Sequence, residues 1–342
     1  MTNFERAKAL HKRVGMVDAH MDLASELFNR HKMGQGDVIK NLYLETWKKA
    51  GLKLVISSIF VENEHLPEQG LSMALRQVNL LKKEIVSLAD ELILVVDQAS
   101  LDQVLNTDKI GILLSFEGLS PIMNSCDLLD SFYDLGVRGA GLVWSRRNYV
   151  AEGSYFGDGE KGIRGGLSPF GIEVIDYLTQ KNMFIDISHL NDEGVEDVFK
   201  FTKTPILASH SNCRAINGIR RNLTDNQLLK IAQSGGVIGV NNIRPIVTRS
   251  DDDYITAMCN HIDHMVRIAG IDAVGFGFDL CKGIEETGIR YGNQPTEIVD
   301  VLESHEDAVL LTEKLLSWGY DEKSCEKILS GNMLAFIRKF LA

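Results

Sequence analysis

The chain has 342 residues, a length that fits two average domains or one large single-core architecture such as a barrel. Lys and Arg total 36 against 47 Asp and Glu, a formal charge of −11, and with no basic stripe along the chain nucleic acid is excluded as a partner. Hydrophobic residues make up 44% and charged residues 24%, a globular balance that excludes an intrinsically disordered protein.

Residues 1–14 lack the apolar run of a secretory signal, and no stretch approaches the ~20 apolar residues that cross a bilayer. No membrane partner is expected, and the expected location is the cytoplasm. The five cysteines, Cys126, Cys213, Cys259, Cys281 and Cys325, have no C-x-x-C spacing, so they are expected to be reduced and mostly buried.

In chain order, short apolar runs rich in β-branched residues predict strands at 15–22, 53–61, 110–117, 138–144, 183–189, 205–210, 236–241 and 273–279. A weaker ninth candidate lies at 92–96. Amphipathic segments at 71–88, 192–199, 224–233 and 253–269 predict helices between them, the last closed by Gly270. Near-continuous apolar strands alternating with helices imply a parallel sheet covered on its faces. Neither a complete G-x-G-x-x-G nor a P-loop is present, since Gly275-Phe-Gly277 has no third glycine, and this disfavours an open nucleotide-binding sheet. Eight strands spread over the whole length predict a (β/α)8 TIM-like barrel, with residues 1–342 forming one domain.

Residues 146–171 stand apart, with Gly153, Gly157, Gly159, Gly162, Gly165, Gly166 and Gly171 among charges and aromatics. They predict a long loop over the active face. Near its end, Ser168-Pro169 has the form of a helix N-cap followed by proline at the first helical position.

Polar residues at the ends of apolar strands carry the chemistry. His20-Met-Asp22 ends the first strand, where residues two apart face the same way, whereas His261-Ile-Asp263 and His305-Glu-Asp307 fall in helical segments where they diverge. Glu117, His189, His210 and Asp279 each close a later apolar run. In a barrel those carboxyl ends meet in one ring. Three imidazoles and three carboxylates suit two zinc ions, which can acidify a shared water and polarise a carbonyl; the same ligands also suit iron, manganese or cobalt. A serine nucleophile is disfavoured by the absence of G-x-S-x-G, and Ser188 and Ser209 are expected to face away from the site. His261 and His264 have a spacing that permits shared metal binding, with helix packing the expected role. His11, His31, His65 and His305 are expected at the surface.

The motifs V-D-A-H-M-D at 17–22, S-F-E-G at 115–118, D-I-S-H at 186–189, A-S-H-S-N-C-R at 208–214, R-R-N-L-T-D at 220–225, G-G-V-I-G-V-N at 235–241 and V-G-F-G-F-D at 274–279 occur together. In this order, spanning about residues 15 to 335, they resemble the membrane (renal) dipeptidase family of zinc peptidases in its soluble microbial form. The resemblance implies a (β/α)8 barrel with two Zn2+ that cleaves dipeptides, with tolerance for a D-residue on the C-terminal side. It implies that His20 and Asp22 hold one zinc, that His189 and His210 hold the other, and that Glu117 bridges them. Asp279 matches the family's catalytic acid/base, and Arg221 the arginine that binds the substrate carboxylate, a task suited to a planar guanidinium. A homodimer is also implied.

One departure stands out. Trp144 occupies the place of a family histidine that hydrogen-bonds the scissile carbonyl, so Asn148, Arg146 or Arg147 is expected to supply that donor, or the metal acts alone. The competing readings are a metal-dependent hydrolase of another small amide (a lactam, an N-acyl amino acid or a cyclic imide) and a non-catalytic barrel binding protein.

Overall fold

The computed structural model describes residues 1–155, 165–250, 253–288 and 300–341. Nine strands lie in one sheet: β1 (Met16–Met21), β2 (Leu52–Ile59), β3 (Leu92–Leu94), β4 (Ile110–Glu117), β5 (Val137–Gly141), β6 (Phe184–Asp186), β7 (Ile206–Ala208), β8 (Val237–Val240) and β9 (Val274–Phe276). All paired neighbours are parallel, as buried apolar runs separated by helices require. β1 pairs with both β2 and β9, and β2 pairs directly with β4. The ring is therefore β1-β2-β4-β5-β6-β7-β8-β9 and back to β1, a closed (β/α)8 TIM barrel.

The ninth strand is not a stave. β3 lies along the first half of β4, from Leu92 opposite Ile110 to Leu94 opposite Ile112, while β5 takes the same edge of β4 from Leu114 onward. This short strand fills the gap left below the start of β5. Its Ile93, with Val95, Leu101 and Val104 just after it, joins Leu54, Ile56, Leu113, Phe184, Leu207 and Val237 in one buried cluster. Side chains from staves all round the ring can meet only in the bore. Met333, Phe336 and Phe340 join the same cluster, so the C-terminal helix Asn332–Arg338 closes the lower end of the barrel. Alternate stave residues such as Val55, Ile112, Leu114, Ile185 and Val240 pack outward in the larger cluster with the surrounding helices.

Helix starts follow the local chemistry of the sequence. Ser168 caps Pro169–Gln180 by accepting from Gly171 N–H, and Thr224 and Gln227 form a reciprocal capping box at Asp225–Gln233. Such caps satisfy amide donors that a helix cannot pair internally. Gly270 closes Tyr254–Ala269 as the sequence predicts, while Asp253, expected as its first residue, is its N-cap. Of the glycine-rich loop, 156–164, with Gly157, Gly159 and Gly162, fall outside the described residues. All five cysteines are free, and four are buried, Cys126 being partly exposed. Among the described residues no helix is long and apolar enough to cross a membrane.

Candidate metal centre

The six strand-end residues converge. His20 lies in β1 and Asp22 just past it, Glu117 is the last residue of β4, and His189, His210 and Asp279 follow β6, β7 and β9 within three residues. Each is less than a tenth exposed. His189 and Asp279 have φ of 71° and 60°, a left-handed backbone that costs a non-glycine residue roughly 1–2 kcal/mol. Neighbouring chain holds both: Ser154 N–H donates to His189 O at 2.7 Å and Asp279 N–H to His20 O at 3.1 Å. Two glycines make room beside them. A Cβ on Gly277 would stand 1.6 Å from the Ser209 carbonyl oxygen, and one on Gly239 2.0 Å from it, so the G-x-G of β9 serves close strand packing beneath His210.

The ligand atoms fall into overlapping groups in which they lie within 4.8 Å of one another: His20, Asp22 and Glu117; Glu117, His189 and His210; and His20, His210 and Asp279. Glu117 belongs to the first two. Its Oε2 is 3.6 Å from His20 Nε2, and its Oε1 is 2.9 Å from His189 Nε2 and 3.6 Å from His210 Nε2. His20 Nε2 is also 3.8 Å from Asp22 Oδ1 and 3.7 Å from Asp279 Oδ1.

The electrostatics fit a cation. His20 Nε2 and Glu117 Oε2 are buried with no hydrogen-bond partner. Burial raises the Glu117 pKa well above the carboxylate range, with the Asp22 charge adding to it. Burial works to lower the His20 pKa, but the Glu117, Asp279 and Asp22 carboxylates outweigh it and push it up to about 10. His189 and His210 are held well below the usual histidine value by burial, with the charges of Arg221 and His20 adding, and neutral imidazole is the ligating form. Crowded carboxylates, buried orphan atoms and two neutral imidazoles are what a divalent cation with nitrogen and oxygen ligands compensates.

A supporting layer orients these groups. His189 Nδ1 is hydrogen-bonded to Ser145 Oγ at 2.7 Å and His210 Nδ1 to Ser209 Oγ at 2.6 Å, which leaves both Nε2 atoms turned inward toward Glu117. Ser209 Oγ donates in turn to Asp186, whose Oδ1 accepts from Ser188 N–H and Ser209 N–H. This corrects the expectation for the two serines: Ser209 holds a ligand, and Ser188 Oγ accepts from His210 N–H at 3.2 Å. Asp22 accepts from Ser58 Oγ, and Asp279 Oδ2 from Asn241 Nδ2 at 3.1 Å. Arg221 is buried, its Nη1 and Nη2 donating to Ser211 Oγ and His210 O while its Nε has no partner. The sequence reading missed Asp18, Asp186 and Asn241. Their one signal is a polar residue interrupting or ending an apolar run near a ligand.

Trp144 is buried, its ring 5.8 Å from that of His189 and 5.3 Å from that of Phe60. Arg146 lies over both the Trp144 and Phe60 rings, with Nη2 on Val61 O and Nη1 unpartnered. Asn148 fastens the loop instead of facing open space: its Nδ2 donates to Leu142 O, and its Oδ1 accepts from Val150 and Ala151 N–H. Arg147 is exposed and reaches Glu152. His261 packs between backbone groups, accepting from Cys213 N–H and facing Val247 O, and His264 pairs with Asp225. Two histidines expected at the surface are buried instead. His11 contacts Thr312 and Ala50 O, and His305 pairs with Asp18.

Comparison with known proteins gives one answer. A protein of Klebsiella pneumoniae described as "Uncharacterized protein in pqqA 5'region" is 30% identical over 80% of this chain and 98% of its own length. Mouse "Dipeptidase 3" is 27% identical over 98% of this chain, which spans 66% of the mouse protein. The solved metallo peptidase of Rhodobacter sphaeroides, bound to a phosphinate mimic of the dipeptide L-Ala-D-Ala, superposes with a TM-score of 0.83 at 25% identity, covering 95% of this chain and 99% of that one. The sequence profile of the membrane dipeptidase family, peptidase family M19, matches residues 4–340. With nearly the whole length matched and the strand-end ligands gathered as described, the chain belongs to the membrane dipeptidase family of metallopeptidases.

Proposed function

We propose that the protein hydrolyses the peptide bond of dipeptides, including those with a C-terminal D-residue, with two zinc ions. His20 and Asp22 would hold one, His189 and His210 the other, and Glu117 would bridge them. The observation that carries this reading is the pair of ligand groups that share Glu117. Bound there, divalent metal supplies Lewis acidity toward a carbonyl oxygen and lowers the pKa of water.

The chain's own residues do the rest. Asp279, pushed up to about 7 by burial with Asp22 adding, is suited to take a proton from the attacking water and return it to the leaving amine near neutral pH. Asn241 steadies its Oδ2 so that Oδ1 faces the ligands. Arg221, with a buried and unpartnered Nε, receives the substrate carboxylate. Trp144 and Asn148 shape the rim. Of the candidate donors beside Trp144, Arg146 is the one with a free buried nitrogen. A homodimer belongs to this reading, and light scattering checks it.

The test is metal quantification joined to a panel of L,L and L,D dipeptides, assayed before and after chelation. Cleavage that chelation abolishes and zinc restores supports the reading. Intact dipeptides with cleavage of N-blocked amides would assign the site to another amide, and a metal-free native sample would favour a binding protein.

A further inference from the structure

A dipeptide carries a positive charge at one end and a negative charge at the other, and the proposed function names a group for the negative end only. Around the ring, β2 and β7 are opposite staves, with β4, β5 and β6 between them on one side and β1, β9 and β8 on the other. Arg221 lies in the segment after β7, its Nη2 on His210 O. A zwitterion laid across the metal centre with its carboxylate at Arg221 points its ammonium toward the end of β2.

Glu62 stands there. It follows β2 by three residues and caps the short turn Asn63–His65. Its Oε1 is buried and has no hydrogen-bond partner. Its carboxyl is close enough to Asp22 and Arg146 to feel both charges, yet it belongs to none of the groups that could hold a metal. Arg146 is near but makes no hydrogen bond to this oxygen: its Nη2 donates to Val61 O, its guanidinium lies against the faces of Phe60 and Trp144, and its Nη1 is left without a partner. Glu62 is half-buried as a residue, whereas Glu152, the fully buried acid of this rim, is already engaged by Tyr155 Oη at 2.9 Å and by Arg147. A buried carboxylate oxygen left without a donor is costly unless a ligand supplies one.

We propose that Glu62 is the specificity residue that receives the α-ammonium of the substrate's first residue, opposite Arg221, so that the mouth accepts a chain only two residues long with both ends free. This rests on the dipeptidase reading. Charge-assisted hydrogen bonds to a buried carboxylate are the strong ones, and the free amine is expected to raise kcat/KM by about 10- to 100-fold.

The experiment compares L-alanyl-L-alanine with N-propionyl-L-alanine, the same skeleton without the amine, in the zinc-loaded wild type, E62Q and E62D, with bound metal measured in each. The expected result is a wild-type preference for the free amine that collapses toward parity in E62Q. The loss should fall mainly on KM for alanyl-alanine, with metal content unchanged, and E62D should regain part of the preference. An unchanged preference in E62Q overturns the proposal, as does an equal loss on both compounds with loss of metal, which would mark Glu62 as structural. A zinc-loaded wild type that cleaves no dipeptide overturns the dipeptidase reading itself, and the role of Glu62 with it.

Discussion

Asp18 Oδ2 and His305 Nε2 lie 2.8 Å apart although 287 residues separate them in the chain. Asp18 Oδ1 accepts two further hydrogen bonds, from His20 N–H at 3.2 Å and from Phe278 N–H at 2.8 Å. One buried carboxylate thus ties a ligand in β1 to the residue before Asp279, and His305, wedged against Trp47 and Phe278, anchors it. Replacing His305 with alanine leaves that carboxylate without its ring partner. We expect a loss of about 3–5 kcal/mol of stability and a 10- to 100-fold weaker hold on metal, read by urea denaturation and by competition with a chelator.

Glu117 is the group common to two ligand sets, so E117Q should do more than any change in the supporting layer. Bound metal should fall, and kcat/KM should drop by more than about 100-fold, the upper end of what an outer group costs. Elemental analysis and dipeptide kinetics measure both. Retention of full metal and activity would remove Glu117 from the bridge.

Asp279 lies 3.7 Å from His20 Nε2, within reach of a ligand role as well as a proton-transfer role. The two separate in D279N. We expect metal content close to wild type and kcat lower by about 10²- to 10⁴-fold, the usual yield of general acid–base catalysis. Parallel loss of metal would assign Asp279 to coordination.

Arg221→Ala should weaken dipeptides selectively through their carboxylate. KM for the free acids is expected to rise by about 10- to 100-fold, while the corresponding dipeptide amides, already lacking that charge, change little. A uniform loss on acids and amides would show that Arg221 serves His210 and Ser211 rather than substrate.

His261 sets an acid limit. Burial lowers its pKa to about 4, with the His264 charge adding and the hydrogen bond to the Val247 carbonyl opposing. A histidine depressed from 6.5 binds fewer protons folded than unfolded. Its contribution is therefore complete above pH 6.5 and is lost as pH falls toward 4, by about 3 kcal/mol in all. His11, also lowered to about 4 by burial, acts in the same window. Denaturation at pH 7, 5 and 4 should show H261Q losing its disadvantage relative to wild type as the acid limit is approached.

The barrel was legible because its staves are apolar runs, and at β1, β4, β6, β7 and β9 the run stops at a residue that joins the candidate metal groups. His20, Glu117, His189 and His210 could be picked out one strand at a time. The partners of buried groups could not. His305 sits in a charged, helix-like stretch and reads as surface; only closure of the ring brings Asp18 to it. Ser209 alternates with His210 along a strand and so reads as pointing away, but β7 ends at Ala208, and past the end of regular strand the alternation no longer governs direction. The ninth candidate strand is real, but local pattern does not reveal that β5 starts too late to cover the foot of β4.

The ring that gathers the ligands closes only where β9 meets β1, by the pairing of Asp18 with Phe276. Asp279 leaves the ribosome more than 250 residues after His20, so a nascent chain holds these residues apart, with open edges on both terminal strands, until β9 has been made. Assembly of the candidate metal centre is in this way tied to closure of the ring. A chain stalled or cut before residue 274 lacks both Asp279 and the seam strand, and is left with sheet edges that invite aggregation.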